Sequence, residues 1–242
     1  MTKLLNKGEE PMSQSVHSSD EVRVAENSSA VVSLIFEEGP FEVKGIGIPE
    51  EIADAFLVTD IKVGKSSQLV SSPCLPASFF ARSRPPLAFD LVPRGGALYL
   101  TVTNVWKGDM PFSFSARGKA RKDEKLIPGA SRRVLLGLGS TLVPAQGRAT
   151  VRVQTQLPFK PDMLAVPRNL EGFLKVEDLR VVGASVFDDL EPVKEEDGRA
   201  VATEWNFPSR RMRAGDWLVV EVKSRSVSDW FFGGTVVGTI VQ

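Results

Sequence analysis

One cysteine and one histidine in 242 residues leave most metal and nucleophile chemistry without its parts. Cys74 cannot close an intrachain disulfide, so the fold must hold by burial alone, and a reducing compartment suits it. His17 cannot build a zinc cluster with a single cysteine. It also cannot complete a Ser-His-Asp or Cys-His arrangement unless the N-terminal stretch takes part. Net charge is missing as well: 30 Lys and Arg balance 30 Asp and Glu. Neutrality argues against a nucleic-acid binder working through general phosphate attraction, leaving only a local patch open, and no specific nucleic-acid signal is present. No glycine-rich loop opens a helix, so a phosphate cradle is unsupported. No apolar run approaches the roughly 18 residues of a membrane span. Leu4-Leu5 is too short for the core of a signal peptide, so a soluble protein made in the cytoplasm is expected. No cofactor or metal is expected.

What is present is ordinary in bulk and repetitive in detail. Hydrophobic residues make up 42% and charged residues 25% of the chain, a normal globular composition. A chain this long buries roughly 70% of its unfolded surface and needs no staple. The stretch Phe56-Leu-Val-Thr-Asp-Ile-Lys-Val-Gly64 is echoed by Leu174-Lys-Val-Glu-Asp-Leu-Arg-Val-Val182 and Gly183. Both alternate apolar and polar residues around a central aspartate, Asp60 or Asp178, the period of a half-buried strand. Pro40-Phe41 matches Pro158-Phe159 and Ile48-Pro49 matches Val166-Pro167, all at the same offset of 118 as the aspartates. Gly95 matches Gly215, Asp109 to Phe112 match Asp229 to Phe232, and Gly118 matches Gly238, at an offset of 120. Landmarks in one order at a near-constant spacing indicate an internal duplication.

Each copy reads as short strands parted by Gly/Pro turns, with no long helical pattern. The expected fold is all-β, two tandem β-sandwich or jelly-roll modules, packed side by side. Residues 1–20 read as a flexible tail in which His17 is solvated. Residues 21–118 form the first module, 119–133 a charged linker and 134–242 the second module. The four prolines of 70–87 predict a long loop or edge. Short helical turns at 49–55 and 167–172 are expected as equivalent connectors.

Few side chains then remain as functional candidates. Asp60 and Asp178 recur at equivalent points, which suits a requirement of the fold better than a catalytic pair. The acidic run Asp188 to Asp197 lacks a known calcium-loop spacing and reads as a solvated loop. Arg210, Arg211, Arg213, Arg132 and Arg133 read as solubilising loop charges. The aromatics Trp106, Phe112, Trp230, Phe231 and Phe232 gather at matching ends of the two modules. They either plug the sandwich ends or form an interface or ligand patch that stacks on sugar or docks a neighbour.

The plan of the chain resembles one class, the viral and phage capsid proteins built from two tandem jelly rolls. The paired landmarks carry it: Pro40-Phe41 with Pro158-Phe159, Ile61-Lys-Val-Gly64 with Leu179-Arg-Val-Val182, and Gly95 with Gly215. The resemblance covers residues 22–242 in architecture, while the modules are small for the class and the N-terminal stretch is not a basic arm. It implies a non-enzymatic, self-assembling protein of a virion or shell, with itself as partner in a trimer or larger assembly. The other expectation is a tandem β-sandwich that binds a glycan or another ligand.

Overall fold

The structure is a computed structural model and describes residues 15–71, 74–82, 89–121, 133–167, 170–194, 200–207 and 210–241. In the second half the strands are β11 (Arg133–Val143), β12 (Arg148–Gln154), β13 (Phe159–Ala165), β14 (Leu174–Val181) and β15 (Ala184–Ser185). They continue with β16 (Glu191–Lys194), β17 (Ala200–Asn206), β18 (Trp217–Ser224) and β19 (Trp230–Ile240). These make two antiparallel sheets, β11-β19-β13-β17-β16 and β12-β18-β14-β15. The first strand pairs with the last, the second with the next to last, and so inward. A long antiparallel ribbon wrapped on itself gives this order, which is that of a jelly roll.

The first half repeats it. Its strands are β1 (Ser15–Ser18), β2 (Val22–Val24), β3 (Ser29–Phe36), β4 (Phe41–Gly47) and β5 (Phe56–Val63). There follow β6 (Ser66–Ser67), β7 (Leu75–Pro76), β8 (Gly96–Asn104), β9 (Met110–Phe112) and β10 (Ser115–Ala120). One sheet is β3-β8-β5-β6. In the facing layer the entry and exit strands are each broken in two, so β1 pairs with β10 and β2 with β9, while β4 lies on the far side of β10. Helix α1 (Glu50–Ala53) follows Pro49 as expected. The matching turn at Pro167 keeps the same bond, Leu170 N–H donating to Pro167 O at 3.0 Å.

Alternation drives the layering. In β3, Val32, Leu34 and Phe36 are buried while Val31, Ser33 and Ile35 face outward. Each large aliphatic side chain buried this way contributes about 1.5–3 kcal/mol. Phenylalanines fill the first core, among them Phe36, Phe41, Phe56, Phe79, Phe80 and Phe112. The second relies on Val and Leu, for example Leu136, Leu164, Leu179, Leu218 and Val220.

Three features differ from the sequence reading. Residues 15–18, expected in a flexible tail, form β1 with Ser15 opposite Gly118. His17 is half-buried there, edge-on to Phe36 and Phe41 with ring centroids 5.2 and 4.9 Å away. β1 covers what would otherwise be an open edge of β10. The expected linker is shorter than 119–133, since β10 runs to Ala120 and β11 starts at Arg133; residues 122–132 lie outside the described residues. Within 70–87 the chain forms β7 and a short helix α2 (Ser78–Arg82), because Phe79 and Phe80 are fully buried and anchor it.

Candidate functional site

The seam between the halves is built from backbone hydrogen bonds. Residues 68–71 and Cys74 of the first half meet β11 of the second, with Leu69 and Leu135 forming a parallel bridge. Leu135 N–H donates to Gln68 O and Val70 N–H to Leu135 O, both at 2.9 Å. Further along, Ser71 Oγ accepts from Gly137 N–H at 2.8 Å, and Gly139 N–H donates to Cys74 O at 3.1 Å. Gln68, Leu69, Val70, Ser71 and Cys74 therefore cover the free edge of the second sheet. Leu135, Met163 and Val237 join the first core, and Val70 joins the second. Gly233 permits a close approach: a Cβ there would stand 2.4 Å from Pro76 Cγ.

Beside this contact lies a groove of about 640 Å³. The first half supplies Leu57, Pro76 and Val105 to its walls, and the second supplies Leu170, Trp230 and Phe231. Asp54, Ser78, Ser140 and Asp229 add polar groups at its margin. Two of the five aromatics singled out in the sequence thus meet here. Phe231 is 62% exposed, presenting an open ring. Trp230 is half-buried and fixed, stacked on Phe173 at 4.2 Å with its Nε1–H donating to Ser226 Oγ at 2.9 Å.

The other three aromatics are placed differently. Phe112 and Phe232 are buried core residues at equivalent positions, so neither belongs to a surface patch. Phe112 packs edge-on to Phe56 at 4.8 Å. Trp106 is 56% exposed but lies outside the groove lining, one residue from Val105. Buried Asn104 sets that turn: its Oδ1 accepts from Trp106 N–H at 2.9 Å, and its Nδ2 donates to Val24 O and Gly108 O. The groove residues Val105, Leu57 and Pro76 were not singled out in the sequence. They are ordinary apolar residues of the first half, and only the docking of the two halves brings them to Phe231.

Asp60 and Asp178 sit at matching β-bulges, where the register slips between Val58 and Asp60 and between Val176 and Asp178. Asp60 Oδ1 accepts from Ile61 N–H at 2.9 Å and from Ser67 Oγ at 2.8 Å. Asp178 Oδ1 does the same with Leu179 N–H at 2.8 Å and Ser185 Oγ at 2.7 Å. Each carboxylate thus clamps its bulge to the next short strand. A hydrogen bond from Ser185 holds the Asp178 carboxyl below its ordinary value; partial burial opposes this, and Arg180 adds to it. Glu42 also lies low, because ion pairs with Lys44 and Arg121 together outweigh the burial that would raise it.

Burial pushes the Cys74 thiol up, so it is held as a neutral thiol. Of the acidic run, Phe187–Asp189 forms a short 3-10 turn, and residues 195–199 lie outside the described residues. Among the described residues no three His, Cys, Asp or Glu side chains come together as a metal site, and no helix is long and apolar enough to cross a membrane.

No family model and no curated protein matches this chain. Among solved structures it is similar to the major capsid protein P2 of bacteriophage PM2, at TM-score 0.45 and 7% identity, over 95% of this chain and 98% of that one. It is also similar to a fucolectin from striped bass (Morone saxatilis) serum, at TM-score 0.24 and 11% identity, over 91% and 85%. A conserved protein of unknown function from Pseudomonas aeruginosa PAO1 follows at TM-score 0.25 and 9% identity, over 95% and 100%. Likeness at these levels assigns no activity.

Proposed function

We propose that this chain is a non-enzymatic, self-assembling structural protein, a capsid or shell component of a virion or phage-like particle. The observation that carries the reading is the repeated jelly-roll strand order in one chain, with both halves joined by a hydrogen-bonded seam. Two similar but non-identical sandwiches form one pseudo-symmetric block, whose related faces can meet neighbours in related ways. Outward apolar residues such as Val31, Ile35, Trp106, Phe231 and Val227 give such contacts apolar area to bury. Sedimentation velocity over a concentration series tests this: trimers or larger species are expected. A single monomer boundary at every concentration would remove the proposal.

A second reading has one specific observation in its favour. The seam groove places the open ring of Phe231 near Asp54, Asp229, Ser78 and Ser140, an apolar face with polar neighbours that suits a sugar ring. Trp230 lines the same groove, so its fluorescence reports occupancy. Saturable quenching by monosaccharides, lost in Phe231→Ala, is expected on this reading, and flat titrations would dismiss it.

A further inference from the structure

The duplication supplies an internal control for surface chemistry, because each strand can be compared with its counterpart at the same register. Strands β3 and β12 are counterparts: Ser29 pairs with Thr103 as Arg148 pairs with Lys223. Each stands at the end of its sheet, so one side of its backbone has no strand partner among the described residues. The outward residues of β12 are Arg148, Thr150, Arg152 and Gln154, and Arg148 is further tied to Glu177 at 2.7 Å. Charged side chains on an edge are the usual guard against pairing with another chain. The outward residues of β3 at the same positions are Ser29, Val31, Ser33 and Ile35. Val31 is 62% and Ile35 56% exposed, and the strand holds no charge, proline or glycine. One half has a guarded edge, and the other lacks the guard.

Resting on the assembly reading, we infer that β3 is the edge through which two copies of this chain pair, antiparallel about a two-fold axis at Ser33. The occupant follows from self-complementarity. Centred on Ser33, the pairing sets Val31 opposite the partner's Ile35 and Val32 opposite the partner's Leu34. Ser33 then meets itself. The nearest charges at the strand ends, Glu37 and Glu38, fall opposite the partner's Ser29 and the partner's Ser28, so no like charges face each other. The equivalent pairing of β12 would set Arg152 against itself on the axis, and like charges directly opposite destabilise a sheet. The same fold position is therefore open to self-pairing in one half and closed to it in the other.

The test uses the full chain. S33R writes into β3 the residue that β12 carries at the matching position, so the fold accommodates it, and circular dichroism and a thermal melt check this. Like-charge apposition at the axis should weaken self-association at least about tenfold in sedimentation. In a C74A background, S33C should form a disulfide dimer under mild oxidation, whereas V31C, set opposite the partner's Ile35, should not. Wild-type association that S33R leaves unchanged, with no S33C dimer, would overturn the β3 contact and leave the assembly reading standing. Ready crosslinking of V31C but not S33C would overturn the two-fold register. A wild type that stays monomeric throughout would overturn both.

Discussion

At the scale of single residues, the paired landmarks are explained by close contacts rather than by chemistry. Gly118 and Gly238 lie under the rings of Phe41 and Phe159. A Cβ would come within 2.0 Å of Glu42 O in the first case and 2.3 Å of Lys160 O in the second. Gly118→Ala and Gly238→Ala should each destabilise by about 1–3 kcal/mol or more, read from chemical denaturation. Removing either bulge clamp, Asp60→Ala or Asp178→Ala, should cost about 1–2 kcal/mol while leaving the sheet content unchanged by circular dichroism. Asp178 adds a pH signature. Its carboxyl sits lower in the folded state than its ordinary value of 3.8. The stability this gives is fully present above that value and is lost as the pH falls through the folded-state value. Wild type should therefore lose more stability than Asp178→Asn when melts are compared between pH 5 and pH 3, within about a pH unit of that ordinary value. Equal losses would remove the clamp's electrostatic share.

Elements were legible where alternation was strong and the two copies agreed. β5 and β14 follow from their shared pattern, and α1 from the proline before it. β1 was missed because Ser15-Val-His-Ser18 is polar and carries little alternation of its own. Its signal was indirect: Ser15 faces Gly118 and Val134 faces Gly238, so the start of β11 already implied a partner strand before Val22. A chain beginning at residue 21 should therefore lose stability markedly, with β10 exposed to proteolysis, whereas a true tail would be removed without effect. α2 was hidden by the prolines around it, although Phe79-Phe80 marked a buried anchor. Of the aromatic candidates, strand alternation pointed to an outward residue in Trp230-Phe231-Phe232, and it is Phe231. Phe112 and Phe232 belong to the core because the same alternation turns them inward. The groove itself was not legible, since it exists only where Pro76 meets Gly233 across the seam.

For the whole molecule, the seam ties the halves together through Gln68, Val70, Ser71 and Cys74 and through shared core residues. Gly233→Val would drive a side chain into Pro76 and should split thermal unfolding into two transitions; one unchanged transition would show that the seam does not couple the halves. The outward apolar residues and the uncharged edge strand β3 are what support the proposed assembly. The central claim is that copies of it assemble. Its most direct test is the molar mass of the full chain by light scattering across a concentration series. The account predicts a mass that rises with concentration from the monomer, through two-fold pairs, to larger species. A mass that stays at the monomer's 26.4 kDa at every concentration would contradict it.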